Sequence, residues 1–135
     1  MPKPLPVVED HERGFWEGAN QRRLTLQHCK TCSRLQMPPA PACAKCNSKD
    51  NLEWKEVRGR GRIQGYCVQH DTRVASMKGE QPFNTAIVEL LDNPEIKFYS
   101  NLPGVPPGKV PVGAEVKLTF QELEPGQLIP EWELA

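Results

Sequence analysis

The chain has 135 residues, enough for one compact domain with a small satellite module but not for two independent cores. Its 17 basic and 17 acidic side chains cancel, so overall charge singles out no partner; residues 22–62, however, carry 10 basic against 3 acidic, and residues 115–135 carry 1 against 5. No apolar run approaches the roughly 20 residues that cross a bilayer, and the N-terminus lacks the charged-then-apolar pattern of a secretory leader, so the expected location is the cytoplasm.

Pro2, Pro4 and Pro6 predict an extended arm without helix. Asp10 is expected to cap a short helix running to about Asn20, with Phe15, Trp16 and Ala19 on one side. Gly14 and Gly18 weaken that helix by up to ~1 kcal/mol each relative to alanine, so it needs a surface to dock on. That surface is either this chain's own body or a second subunit.

Leu24-Thr25-Leu26 alternates as a strand and leads into Cys29-x2-Cys32; Pro38, Pro39 and Pro41 fill the connection to Cys43-x2-Cys46. Each C-x-x-C turns two thiolates toward one ion while backbone N–H groups of the turn point at the sulfurs. Two such knuckles complete a tetrahedron, so Cys29, Cys32, Cys43 and Cys46 are expected to hold zinc. In a reducing compartment metal ligation takes precedence over disulfides; iron–sulfur and dithiol redox chemistry are the readings left over. Four thiolates leave no open coordination position, so the ion ties down the fold rather than activating water.

From Trp54 onward the pattern is of strands: residues 62–70, 84–91, 96–102, 115–123 and 127–134, with Pro130 confining the last to an edge or an interrupted strand. Turn signals separate them at Asp92-Asn93-Pro94, from Pro103 through Gly113, and at Pro125-Gly126. Five short strands without intervening helices argue for a small antiparallel barrel, and the strand–helix alternation of parallel α/β folds is missing. Cys67 shares a strand parity with Ile63 and Gly65, which predicts a buried core thiol. Residues 71–83 form a long loop, a candidate for partner contact.

The sequence has no catalytic constellation. G-x-S-x-G, H-E-x-x-H, Walker and dinucleotide-binding glycine patterns are all missing. His70-Asp71 has Thr72 and Ser76 near it only along the chain. His28 precedes Cys29, but four cysteines already suffice as ligands. His11 falls in the first helical turn.

Three stretches together resemble one family. Phe15 to Gly18, then Leu26-Gln27-His28-Cys29-Lys30-Thr31-Cys32 and Leu35 to Pro39, are similar to its N-terminal helix and first knuckle. Cys43-Ala44-Lys45-Cys46 and Trp54 to Gly61 are similar to its second knuckle and lead-in strand. The family is DUF35, small proteins of a rubredoxin-like zinc ribbon and an OB-fold, and the likeness covers nearly the whole chain; the barrel strands match in pattern, including the Val112-Gly113 turn. The resemblance implies a mainly β architecture: arm and helix over residues 1–23, zinc ribbon over 24–53, five-stranded OB-fold over 54–135. It also implies a non-catalytic accessory subunit beside a thiolase-superfamily enzyme in a hetero-oligomer. Such partners are acyl-CoA thiolases, acyltransferases and the aldolases of steroid side-chain degradation, and some relatives are fused to a hydratase domain. The catalytic residues then belong to the thiolase-like chain, and this one helps to hold or pass acyl-CoA.

A basic rim at Arg58, Arg60 and Arg62 is compatible with that role, since arginine binds phosphate bidentately; a solvated strand edge is the bland alternative. The competing function is a single-stranded nucleic-acid binder, with Tyr66, Phe98, Tyr99 and Phe120 as stacking rings. The acidic C-terminal strands count against it.

Overall fold

The computed structural model describes residues 3–135, so the expectation for Pro2 lies outside it. Residues 3–9 run without regular structure into a 3-10 turn, Asp10–Glu12, and then helix α1, Arg13–Asn20. Asp10 is not the expected cap. The 3-10 turn takes it inside the coil, neither start carries a side-chain cap, and its carboxylate pairs with Arg13 one turn on.

Two antiparallel sheets follow. The first has β1 (Leu24–Cys29) between β2 (Leu35–Gln36) and β3 (Leu52–Val57). The second contains β4 (Arg60–Gln69), β5 (Phe83–Leu90), β6 (Lys97–Ser100), β7 (Glu115–Glu124) and β8 (Gln127–Leu134), in the order β6-β5-β4-β7-β8. This sheet curls into a nearly closed barrel. Gly61, Ile63, Ala86, Val88, Val116 and Trp132 fill its interior, with Trp132 only 1% exposed. Burying the branched aliphatic side chains among them, Ile63, Val88 and Val116, stabilises by about 1.5–3 kcal/mol each. Pro130 lies on β8, an edge strand, where a residue without an N–H is tolerated.

Helix α1 packs on the chain's own body. Phe15 and Ala19 are buried, and Asn20 Oδ1 accepts the Leu128 N–H at 2.8 Å, satisfying a backbone donor at the start of β8. Both helix glycines permit close approach. A Cβ on Gly14 would lie 2.2 Å from the Trp54 ring, and one on Gly18 would lie 2.4 Å from Thr25 Oγ1.

Cys67 departs from expectation. A bulge between Ile63 and Gly65 inserts one residue into β4, so strand parity reverses. Ile63 opposes buried Val88, but beyond the bulge it is Tyr66 and Val68 that oppose Ala86 and Asn84. Cys67 lands on the outer face, exposed.

The long loop contains a 3-10 turn, Ala75–Glu80, anchored by buried Met77. Asn84, 1% exposed, pins the loop that follows β6: its Nδ2 donates to the Leu102 and Val105 carbonyls and its Oδ1 accepts the Leu102 N–H at 2.7 Å. Among the described residues, no helix is long and apolar enough to cross a membrane.

Candidate functional site

The two knuckles are built alike. Cys29 N–H donates to Arg34 O and Ser33 N–H returns to Cys29 O; Cys43 N–H donates to Ser48 O and Asn47 N–H returns to Cys43 O, all at 2.8–2.9 Å. Ser33 and Asn47, each just after the second cysteine of its pair, have φ of 61° and 60°. This left-handed step lets the chain close tightly around a sulfur, and asparagine adopts it with little strain.

The four sulfurs converge. Cys29 and Cys46 Sγ are 3.6 Å apart, as are Cys32 and Cys43 Sγ, and all four lie within 4.8 Å of one another with no disulfide. A tetrahedron with Zn–S bonds of about 2.3 Å has edges of about 3.8 Å, so this spacing fits zinc. The backbone also favours thiolates. The Cys32 N–H holds the Cys29 thiol below its ordinary range against the opposing effect of burial, with help from the Cys46 thiol. The N–H groups of Cys46 and Lys45 pull Cys43 down to about 6. At Cys46 the Ser48 N–H lowers the value, but burial and three neighbouring sulfurs outweigh it and push the thiol up to about 11. The donor set is saturated, so the ion it fits supplies structure and no open position for substrate.

Two buried glutamines, missed in the sequence, shape this module. Gln27 and Gln36 are 4% and 5% exposed. Gln36 Nε2 donates to Gln27 Oε1, Gln27 brackets Ala40 through that residue's N–H and carbonyl, and Gln36 Oε1 accepts the Ala44 N–H. Together they hold the proline-rich connection that carries Cys43 toward Cys29. The only available signal was polar residues on strands flanking the first knuckle, which does not distinguish them from surface glutamines. His28 stands apart from the sulfurs' chemistry; its Nδ1 pairs with Glu53 across the sheet at 2.7 Å.

The basic rim is largely engaged. Arg58 forks onto Asp92 at 2.8 and 3.1 Å, and Arg62 donates to the Gly113 carbonyl at 2.8 Å. Arg60 Nε is buried without a hydrogen-bond partner among the described residues. The four expected stacking rings do not form one platform: Phe98 is buried against Trp132, while Tyr99, next on β6, points outward at 75% exposure.

Residues 16–53 match the family described as ChsH2, rubredoxin-like zinc ribbon domain, and residues 54–121 match its C-terminal OB-fold domain. The chain belongs to the ChsH2 family. The division between those matches falls inside β3. A probable enoyl-CoA hydratase alpha subunit of Thermomonospora curvata is 34% identical over 129 residues, 95% of this chain and 39% of that protein. A DUF35 domain-containing scaffold protein of Methanocaldococcus jannaschii is 26% identical over 96 residues, 71% of this chain and 66% of that protein. The chain therefore spans less than two thirds of the length of either relative. Among solved structures, a chain of the Ltp2-ChsH2(DUF35) aldolase superposes with a TM-score of 0.81 at 32% identity, covering 96% of this chain and 98% of that one. A DUF35 protein of unknown function from Sulfolobus solfataricus gives 0.65 at 20% identity, covering 95% and 87%, a likeness of fold alone.

Proposed function

We propose that this ChsH2-family chain is an accessory subunit of a thiolase-superfamily acyl-CoA enzyme in the cytoplasm. Its partner is a thiolase, an acyltransferase or a steroid side-chain aldolase, and it contributes no catalytic residue. The observation that carries the reading is the end-to-end likeness to a chain of the Ltp2-ChsH2(DUF35) aldolase, supported by a relative named as a scaffold protein. The saturated thiolate site agrees with it, because such an ion stabilises a surface and offers no reactive position. Arg58, Arg60 and Arg62 serve as contacts for the phosphates of acyl-CoA, with Arg58 exchanging Asp92 for the ligand.

Co-expression with a thiolase-like chain tests this. Stable co-purification, with acyl-CoA turnover that requires both chains, is the expected result. Turnover of an acyl-CoA by this chain alone overturns it, as does failure to associate with any thiolase-like chain encoded beside it.

A further inference from the structure

Where the zinc ribbon meets the barrel, the end of α1, the β3–β4 connection and β7 enclose a groove of about 310 Å³. Arg22, Arg23 and Arg58 surround it, Glu56 adds one carboxylate, and Leu118 and Phe120 form its apolar floor. Gly59 makes the floor close: a Cβ there would sit 2.6 Å from the Leu118 Cβ, and the Gly59 carbonyl accepts the Leu118 N–H at 2.9 Å.

Arg22 is the unusual member. The helix ends in a Schellman turn, with Arg23 N–H donating to Gly18 O and Arg22 N–H to Ala19 O. This places Arg22 at the left-handed position with φ 59°, where glycine is favoured and a long side chain is strained. Its neighbours are committed, Arg23 to Glu56 and Gln21, Arg58 to Asp92. Arg22 is exposed and has no ion pair or side-chain hydrogen bond among the described residues. A strained backbone holding an unpaired cation at a groove is an arrangement whose rationale lies outside local stability.

We propose that this groove binds an organic phosphate, its phosphate held by Arg22 and Arg23 and its apolar body laid on Leu118 and Phe120. The inference rests on the accessory reading for the ligand's chemical class. It places the principal phosphate contact at Arg22, a residue outside the Arg58–Arg62 rim. The planar guanidinium donates to two phosphate oxygens at once, and Arg23 can turn from Glu56 because that pair is long, at 3.4 Å, and exposed.

Calorimetric titration of the zinc-loaded chain with inorganic pyrophosphate and with ADP tests this, using Arg22→Gly and, as a charge control outside the groove, Arg73→Ala. Glycine relaxes the left-handed turn, so Arg22→Gly should melt no lower than the parent, yet bind both probes about tenfold or more weakly. Arg73→Ala should bind like the parent, and ADP should bind more tightly than pyrophosphate. The proposal is overturned if the parent binds neither probe, if Arg22→Gly keeps full affinity, or if Arg73→Ala loses as much. Equal affinity for the two probes removes the apolar floor from the site. Association with a thiolase-like chain is measured separately, so the accessory reading and this one fail on different results.

Discussion

Phe98 on β6 and Trp132 on β8 stand with ring centroids 5.7 Å apart across the seam where the five-stranded sheet leaves its two edge strands without a shared ladder. Phe15 and Trp16 of α1, themselves edge-to-face at 5.1 Å, line the same seam from outside. Side chains from two edges and a helix thus replace a missing row of backbone hydrogen bonds. An aromatic deleted from such a site leaves a cavity that its neighbours fill only in part. Trp132→Ala should therefore lower stability by about 3–5 kcal/mol, a large share of the 5–15 kcal/mol that holds a typical domain. Phe98→Leu, which keeps most of the volume, should cost less than half as much. Urea denaturation of the zinc-loaded chain reads both.

The helix glycines set two effects against each other. Alanine at Gly18 gains up to ~1 kcal/mol of helix propensity, but its Cβ collides with Thr25, a β-branched side chain fixed on β1 whose hydroxyl donates to Gly14 O at 2.8 Å. Overpacking of that kind costs typically 1–3 kcal/mol, so it wins, and Gly18→Ala should be destabilising. Gly14→Ala meets the Trp54 ring, which at 37% exposure has room to swing away. The smaller loss is expected there, and the order of the two melting temperatures decides the point.

Much of this architecture was legible in the sequence, and the parts that were not share a cause. The sulfur site followed from spacing alone, because a C-x2-C pair is a local device and two of them need only meet. The barrel strands followed from alternation, each within a few residues of its observed ends. The bulge at Ile63–Gly65 left no such trace: alternation assumes that parity persists, and one inserted residue reverses it for everything after, which is why Cys67 faces outward. The roles of Gln27 and Gln36 depend on contacts made across the fold, and composition does not reveal those.

The Gln27–Gln36 pair can be separated from the cysteines it supports. Gln36→Leu removes one of the two donors to Gln27 Oε1, which keeps the Ala40 N–H, and removes the acceptor of the Ala44 N–H inside a buried site. The Ala44 N–H left unsatisfied costs about 1–3 kcal/mol, so the connection carrying Cys43 should loosen while all four ligands stay in place. The expected result is faster zinc transfer to a competing chelator with full zinc content at equilibrium. Unchanged transfer would show that the glutamines do not position the second knuckle.

Acid should weaken metal binding. Cys43 is held at about 6, below its ordinary 9.0, by the Cys46 and Lys45 N–H groups. A depressed value means that the fold favours the thiolate: that contribution is complete above pH 9, shrinks as pH falls, and is gone once pH drops through about 6. Cys46, raised to about 11, is protonated at neutral pH in the metal-free cluster and must give up its proton to a metal. Zinc uptake at pH 7 should therefore release protons, and apparent zinc affinity against a chromogenic chelator should fall as pH is lowered and protons compete for the sulfurs. Cys43→Ser should abolish stoichiometric zinc at any pH, whereas full zinc content in that variant would remove it from the ligand set.

The exposed thiol gives the last test. Cys67 lies on the outer face of β4 with Gln69 Nε2 3.3 Å from its sulfur, while the other four cysteines converge on the metal site. A coordinated thiolate reacts slowly with a disulfide reagent because its lone pair is shared with the ion and its site is enclosed, whereas a free exposed thiol reacts at a rate set by its thiolate fraction. The zinc-loaded chain should thus show one fast thiol, and Cys67→Ser should remove that phase with no change in zinc content. Adding a strong chelator should then expose four more. Had β4 kept its parity through Gly65, Cys67 would be buried and the fast phase missing. The count of fast thiols therefore reports directly on the bulge.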